Sequence, residues 1–106
     1  MSAVKIYSNN DEMIPLKFQL SQNFPNPFSE KTTIRFTIPA GKPQRISLSV
    51  IDLSGQTVKT VQKGVFPPGN YTITLKASDY SSGMYYYRLE TDSGTQIRKM
   101  VIAENQ

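Results

Sequence analysis

Alternation of apolar and polar residues runs along nearly the whole chain after residue 30, and this pattern is typical of strands that bury one face. In the stretch TTIRFTI, Ile34 and Phe36 fall on one face of an extended chain, whereas Arg35 falls on the other. No helix of ordinary length is predicted. The pattern predicts about seven strands, near residues 16–20, 32–38, 45–52, 56–62, 70–77, 84–91 and 95–102.

Turn signals separate these runs at intervals that suit hairpins. The stretches DLSGQ at 52–56 and DSGTQ at 92–96 each combine an Asp or Ser, which can bond back to the backbone, with a Gly that tolerates positive φ. In QTVKTVQ, Val58 and Val61 are three residues apart, which fits a helical turn or a bulged strand, and the neighbouring hairpins favour the bulge. Short strands with frequent turns predict an all-β, immunoglobulin-like sandwich of about seven antiparallel strands.

Two aromatic stretches add detail to this prediction. Gly83, Tyr85 and Tyr87 stand where such sandwiches often begin a central strand with a tyrosine corner, in which the phenol bonds to backbone a few residues upstream. In FPNPF, at 24–28, each proline biases the preceding residue toward extended geometry and excludes a helix or a central strand. We expect this stretch to follow a sheet edge or to cross between sheets, with Phe24 or Phe28 anchored in the core.

The composition excludes much catalytic chemistry. The chain has no Cys and no His, so thiol nucleophiles, Ser-His-Asp triads and Cys/His zinc sites cannot form. The eight acidic residues are spread without the spacing of a glycosidase pair or a calcium loop, and we expect no catalytic residue, no metal and no cofactor. The net charge of +4 comes from scattered Lys and Arg, which predicts a solvated surface and no nucleic-acid partner. No apolar run is long enough for a transmembrane segment.

Five stretches of the chain, taken in order, resemble a known family. They are LSQNFPNPFSEKTTIRFTIP, ISLSVIDLSGQTVKTV, PPGNYTITL, SSGMYYYRLE and RKMVI. The ordered set is similar to the type A C-terminal sorting domain of proteins exported by the type IX (Por) secretion system of Bacteroidota-type bacteria. The resemblance extends over roughly residues 16 to 102 and agrees with the immunoglobulin-like fold predicted from the strands.

The resemblance implies a non-catalytic domain fused to an N-terminal cargo, which is secreted or displayed at the cell surface after transit through the periplasm and outer membrane. The implied partners are the outer-membrane type IX translocon and a sortase-like peptidase. The implied recognition elements are the closing strand, a neighbouring strand and the opening motif. For the opening motif, a purely structural role is the alternative. These residues are Lys99, Met100, Val101 and Ile102; Gly83, Tyr85, Tyr87 and Leu89; and Pro25, Asn26 and Pro27.

The predicted organisation has three parts. Residues 1–15 are polar, and we expect an irregular linker from the upstream cargo, followed by the sorting domain at 16–103 and a tail at 104–106. We expect a monomer. The alternative function is a carbohydrate-binding or fibronectin-like spacer module of a multidomain secreted enzyme, based on the same sandwich and on the five Phe and six Tyr. The absence of Trp weakens that alternative.

Overall fold

Two antiparallel sheets form the body of the protein. The computed structural model describes residues 4–7, 13–15 and 17–104, and side-chain surroundings are described for residues 17–104. A three-stranded sheet has the order β3-β4-β7 and a four-stranded sheet has the order β6-β5-β8-β9. The strands are β3 (Gln19–Leu20), β4 (Lys31–Ile38), β5 (Gln44–Ile51), β6 (Thr57–Phe66), β7 (Gly69–Lys76), β8 (Gly83–Thr91) and β9 (Gly94–Ile102).

The chain crosses between the sheets after β4, after β6 and after β7, as expected for a sandwich whose strands are not all joined by hairpins within one sheet. The seven strands and two sheets confirm the predicted immunoglobulin-like fold. Each observed strand overlaps its predicted range, with ends that differ by a few residues. A 3-10 helix, Ala77–Asp79, follows β7 and was not predicted.

The irregular backbone predicted for residues 1–15 is not found in residues 4–7 and 13–15, the parts of that segment that the structure describes. Two short strands, β1 (Val4–Tyr7) and β2 (Met13–Pro15), form an antiparallel pair with the order β1-β2. Both contain apolar residues, and the segment lacks the clear alternation on which the strand predictions were based. That residues 1–15 link the domain to a cargo stays a prediction.

The core lies between the inward faces of the two sheets, on the alternate residues that the sequence pattern indicated. Ile34 and Phe36 of β4 are buried in the same hydrophobic cluster as Leu48 and Val50 of β5, whereas Arg35 is exposed. Because apolar area removed from water is the main stabilising contribution to folding, this alternation determines which face of each strand turns inward. The other strand residues in this cluster are Leu20, Ile38, Ile46, Leu75, Tyr87, Leu89, Met100 and Ile102.

Strand β6 is bulged rather than helical, as the spacing of its valines predicted. Pairing with β5 passes from Leu48↔Gln62 to Ser49↔Thr60, which leaves Val61 as an extra residue. A second register shift leaves out Val58. Each extra residue increases the local twist and interrupts the hydrogen-bond ladder, so β6 is an irregular edge strand.

Tyrosine corners are found at two strands. The Tyr85 hydroxyl donates to the carbonyl oxygen of Ser81 at 2.6 Å, four residues upstream, which confirms the predicted corner. The Tyr71 hydroxyl makes the equivalent bond to the Pro67 carbonyl, also at 2.6 Å. Each bond ties the beginning of a strand to the loop that leads into it, and thereby fixes the angle at which the chain enters the sheet.

Candidate functional site: the seam between the opening motif and the closing strand

The FPNPF stretch crosses from one sheet to the other. Phe24 exchanges two main-chain hydrogen bonds with Thr33 of β4, both of 3.0 Å. Four residues later, the Phe28 amide donates to the Val101 carbonyl of β9 at 3.1 Å, and the Phe28 carbonyl accepts from the Ala103 amide at 2.8 Å. The crossing predicted from the prolines is therefore confirmed, and it joins the opening motif to the end of the closing strand.

Phe28, not Phe24, is the anchor of this crossing. The Phe28 side chain is 2% exposed and packs in the core, whereas Phe24 is 79% exposed. The sequence offered either phenylalanine as the anchor. Only the side chain next to β9 reaches the interior, since the chain passes between the sheets at that point.

Side-chain hydrogen bonds continue the contact on both sides of Phe28. The Asn26 side-chain oxygen accepts from the Val101 amide at 2.8 Å, and the Gln22 side-chain amide donates to the Lys99 carbonyl at 2.7 Å. Lys99 and Val101 lie on the edge strand of the four-stranded sheet, where main-chain groups lack a neighbouring strand. The opening motif therefore covers part of that edge.

At β3 the roles are reversed, because side chains of β9 bond to main-chain groups of β3. The Leu20 amide donates to the side-chain oxygen of Gln96 at 3.0 Å, and the Leu20 carbonyl accepts from Nε of Arg98 at 3.0 Å. Both side chains come from β9. We call these two facing edges, residues 18–28 and 96–103, the seam, because each supplies hydrogen-bond partners for the main chain of the other.

Two buried polar side chains hold the seam in shape. Asn23 donates to Thr32 Oγ1 at 3.0 Å and to the Pro25 carbonyl at 3.2 Å, and Thr32 in turn donates to that same carbonyl at 2.8 Å. Because a buried amide without partners is costly, this network favours one conformation of the loop. Asn26, by contrast, is exposed, and among the residues that the structure describes its side chain bonds to Val101.

Tyr87 connects the core of the four-stranded sheet to the seam. Its side chain is 0% exposed, and its hydroxyl donates to the Ser21 carbonyl at 2.6 Å. Burial raises the pKa of Tyr87 to about 12, against smaller lowering contributions from the main chain of Asn23 and from the charge of Arg98. At neutral pH this phenol is therefore a neutral hydrogen-bond donor.

The structure divides the predicted recognition residues into two groups. Four of them are buried in the core and cannot contact a partner while the domain is folded: Tyr87, Leu89, Met100 and Ile102. Tyr85 and Val101 are half-buried. Five are exposed: Pro25, Asn26, Pro27, Gly83 and Lys99. The opening motif and the closing strand are brought together, and β8 joins them through the pairing of Gly83 with Ile102.

A cleft of about 500 Å³ opens beside the end of β9, between Ser29, Tyr80 and Ala103. The Tyr80 hydroxyl is buried there without a hydrogen-bond partner in the described part of the chain. Burial, with a smaller contribution from the nearby Asp79 carboxylate, raises the pKa of Tyr80 to about 12. A phenol with so high a pKa stays protonated at neutral pH, and the described residues around it include no His or Cys that could act as a general base.

Sequence reasoning missed the polar residues that hold the seam together, which are Gln22, Asn23, Thr32, Gln96 and Arg98. Gln22 and Asn23 directly precede FPNPF, so their position beside a motif was the available signal. For Arg98 the available signal was a charged residue on the face of β9 that also carries Met100 and Ile102. Its hydrogen bond to the Leu20 carbonyl explains this placement.

The described residues 17–104 contain no group of three acidic side chains that could hold a metal ion. No helix within residues 4–7, 13–15 and 17–104 has the length and apolar character needed to cross a membrane.

Comparison with known proteins gives a family for the chain. Residues 22–103 match the family model of the secretion system C-terminal sorting domain. The match begins at Gln22, includes both edges of the seam over most of their length and ends just after β9. No curated protein and no solved structure matches the chain. Because the family model covers most of the 106 residues, the chain belongs to the C-terminal sorting domain family of type IX secretion.

Proposed function

We propose that this domain is a non-catalytic export signal, which the outer-membrane type IX translocon recognises in its folded form. It directs a cargo fused to its N-terminal side across the outer membrane, to the cell surface or beyond, and a sortase-like peptidase acts on the exported product. Membership of the sorting-domain family supports the general role. The lack of Cys and His in the sequence supports the absence of catalysis.

The recognition surface that we propose is the exposed part of the seam. It consists of Pro25, Asn26 and Pro27 together with Lys99 and Val101 of β9. The observation that carries this proposal is the 2.8 Å bond from the Val101 amide to Asn26, which places the opening motif directly against the closing strand. Two motifs that are far apart in the sequence thus form one continuous surface, which a single partner can contact.

Export of a fusion protein tests the general role. A reporter with an ordinary periplasmic signal is joined to the N-terminal side of this 106-residue chain and expressed in a bacterium with a type IX system. The expected result is reporter in the medium or at the cell surface, and periplasmic reporter when the translocon is deleted. Retention of an intact, folded fusion in the periplasm of the secreting strain would overturn the proposal.

Substitution at exposed positions tests the surface more sharply than truncation does. Removing residues 99–106 would delete Met100 and Ile102, which are buried, at about 2–5 kcal/mol for each large apolar side chain lost, so failed export could merely reflect unfolding. Lys99→Glu keeps the core intact and reverses one charge on the seam. Lys63→Glu is the matched control, since Lys63 is exposed on β6, away from the seam.

We expect Lys99→Glu to reduce export severalfold and Lys63→Glu to leave it unchanged, with both variants unfolding at the same urea concentration as the parent domain. Equal export of the two variants would remove Lys99 from the recognition surface. The carbohydrate-binding alternative gains no support from residues 17–104, where Phe24 is the one exposed aromatic side chain. Such sites usually present several aromatic rings.

A further inference from the structure

The two sheets have four edge strands, and three of these are protected against pairing with another chain. Gln96 and Arg98 occupy the free main-chain groups of Leu20 on β3. Residues 22–28 cover the final part of β9, and two bulges interrupt β6. Strand β7 is different, because its pairing with β4 is regular over eight residues without a bulge. A long edge strand with regular pairing on one side is a template for an additional strand on its free side.

The hydrogen bonds of β4 determine which groups of β7 are free. Thr33 exchanges both of its main-chain bonds with Phe24, and the Arg35 carbonyl accepts from the Ser21 amide at 2.9 Å. The main-chain N–H and C=O groups of odd-numbered β4 residues therefore point away from β7. Those of even-numbered residues such as Ile34 point toward β7, because the direction of these groups alternates along a strand.

The register transfers this alternation to β7. Ile34 lies opposite Ile73, so the main-chain groups of the odd-numbered β7 residues bond to β4. The main-chain groups of the even-numbered residues point toward the free edge of the sheet. Asn70, Thr72, Thr74 and Lys76 each direct one N–H and one C=O away from the sheet. In the described part of the chain, no hydrogen bond from another element reaches these main-chain groups.

The face of this sheet that contacts solvent is positively charged. Lys31 lies directly opposite Lys76, and Arg35 lies opposite Thr72, all with exposed side chains. None of the strands β3, β4 and β7 contains an Asp or Glu. Two like charges directly opposite each other on neighbouring strands are destabilising, and carboxylates on an added strand would relieve this repulsion.

The inner side of the same edge is apolar and incompletely covered. Tyr71 and Ile73 pack against the core but remain half-buried. An additional strand beside β7 would place its alternate side chains over these two residues on one face and beside Lys76 and Thr74 on the other. The edge therefore suits a segment in which acidic and apolar residues alternate.

We propose that β7 is a docking edge, which binds an extended acidic segment of a partner protein as an added strand. Its main-chain groups provide affinity, as in other cases of strand addition. Lys31, Arg35 and Lys76 select a segment with carboxylates on the solvent face. This proposal concerns a surface separate from the seam and does not depend on the sorting role.

A synthetic peptide tests the proposal with the 106-residue chain. The probe alternates Glu and Val over the length of β7, and the control peptide has Lys in place of each Glu. Binding is followed by amide NMR, with hydrogen exchange at Thr72 and Thr74 as the readout of main-chain pairing. The expected result is saturable binding of the Glu peptide, slower exchange at both amides, and at least about tenfold weaker binding of the Lys peptide.

Two variants locate the site. Thr74→Pro removes an outward N–H, and Pro is tolerated on an edge strand, so we expect binding to weaken about fivefold or more while the domain stays folded. Lys76→Glu reverses one charge at this edge and leaves the backbone unchanged, so its result does not depend on whether the strand tolerates proline. Lys63→Glu on β6 is its matched control. Binding should fall with Lys76→Glu and stay the same with Lys63→Glu.

Three results would overturn the proposal. The first is no saturable binding of the Glu peptide at millimolar concentration. The second is protection of amides on another strand in place of Thr72 and Thr74. The third is self-association of the chain without peptide that Thr74→Pro abolishes, because this would assign the edge to a second copy of the domain.

Discussion

Replacing Tyr87 by Phe removes the hydroxyl and keeps the ring, so it isolates the contribution of the hydroxyl to stability. The ring is 0% exposed and Phe preserves its volume, so the packing of the core should change little. The substitution removes the 2.6 Å bond to the Ser21 carbonyl, which links residues 66 positions apart. We expect a loss of about 1 kcal/mol at neutral pH, the usual net contribution of one hydrogen bond. The melting temperature should fall by roughly 4–8 °C.

The same substitution has a predictable pH dependence. Burial raises the pKa of Tyr87 in the folded protein from 10.0 to about 12. Above the ordinary pKa the unfolded chain binds fewer protons than the folded one, so this tyrosine contributes full stability below about pH 10 and loses it as the pH rises toward 12. At about pH 11, one unit above the unfolded pKa, the loss is about 1.4 kcal/mol.

Phe cannot ionise, so the stability of the variant lacks the decrease between about pH 10 and pH 12 that Tyr87 causes in the parent. We therefore expect the parent to be about 1 kcal/mol more stable than Tyr87→Phe at neutral pH and about 0.4 kcal/mol less stable than it at about pH 11. Tyr80, whose pKa is also raised to about 12, is present in both proteins and cancels in the comparison.

Urea unfolding at the two pH values measures the difference, with Tyr71→Phe as the control. The Tyr71 hydroxyl also donates at 2.6 Å, to the exposed Pro67 carbonyl, which water can satisfy after substitution, so we expect less than about 0.5 kcal/mol there. The reasoning is refuted if Tyr87→Phe is as stable as the parent at neutral pH. It is also refuted if the difference between them is the same at both pH values.

Three more predictions concern the crossing and the closing strand. Phe28→Ala should cost about 3–5 kcal/mol in urea unfolding and Phe24→Ala less than about 0.5 kcal/mol, since only the first ring is buried; similar losses would contradict the assignment of the anchor. Asn26→Ala should accelerate hydrogen exchange of the Val101 amide by roughly fivefold, as expected for the loss of one hydrogen bond, and an unchanged rate would show that this bond does not protect the amide. Met100→Ala should cost about 2–5 kcal/mol because the side chain is 0% exposed, and a loss below about 1 kcal/mol in thermal unfolding would argue against a core position.

The sequence predicted the strands well where burial alternates strictly. In β4 every second residue is buried, and three of these four residues are apolar as the pattern requires, so its range and inward face were both predicted. In β6 the strand continues to Phe66, beyond the predicted end at residue 62. Most of β6 is exposed and two bulges break its period, so apolar spacing carried little information about where it ends.

The candidate site was predictable in its parts but not in its assembly. The prolines of FPNPF predicted a crossing, and the last strand was recognised by its apolar residues. The bond between Asn26 and Val101 joins positions 75 residues apart, and no local pattern encodes a contact over that separation. The choice between Phe24 and Phe28 also depended on where β9 lies, which is a tertiary property.

The seam and the β7 edge lie on opposite sides of the three-stranded sheet, because β4 separates β3 from β7. A substitution on one surface should therefore leave the other unaffected as long as the sandwich stays folded, since distant sites without shared partners behave independently. Thr74→Pro should weaken peptide binding without changing export. Lys99→Glu should reduce export without changing peptide binding. A single substitution that abolishes both activities indicates global destabilisation rather than the loss of a contact, so each variant serves as the folding control for the other surface.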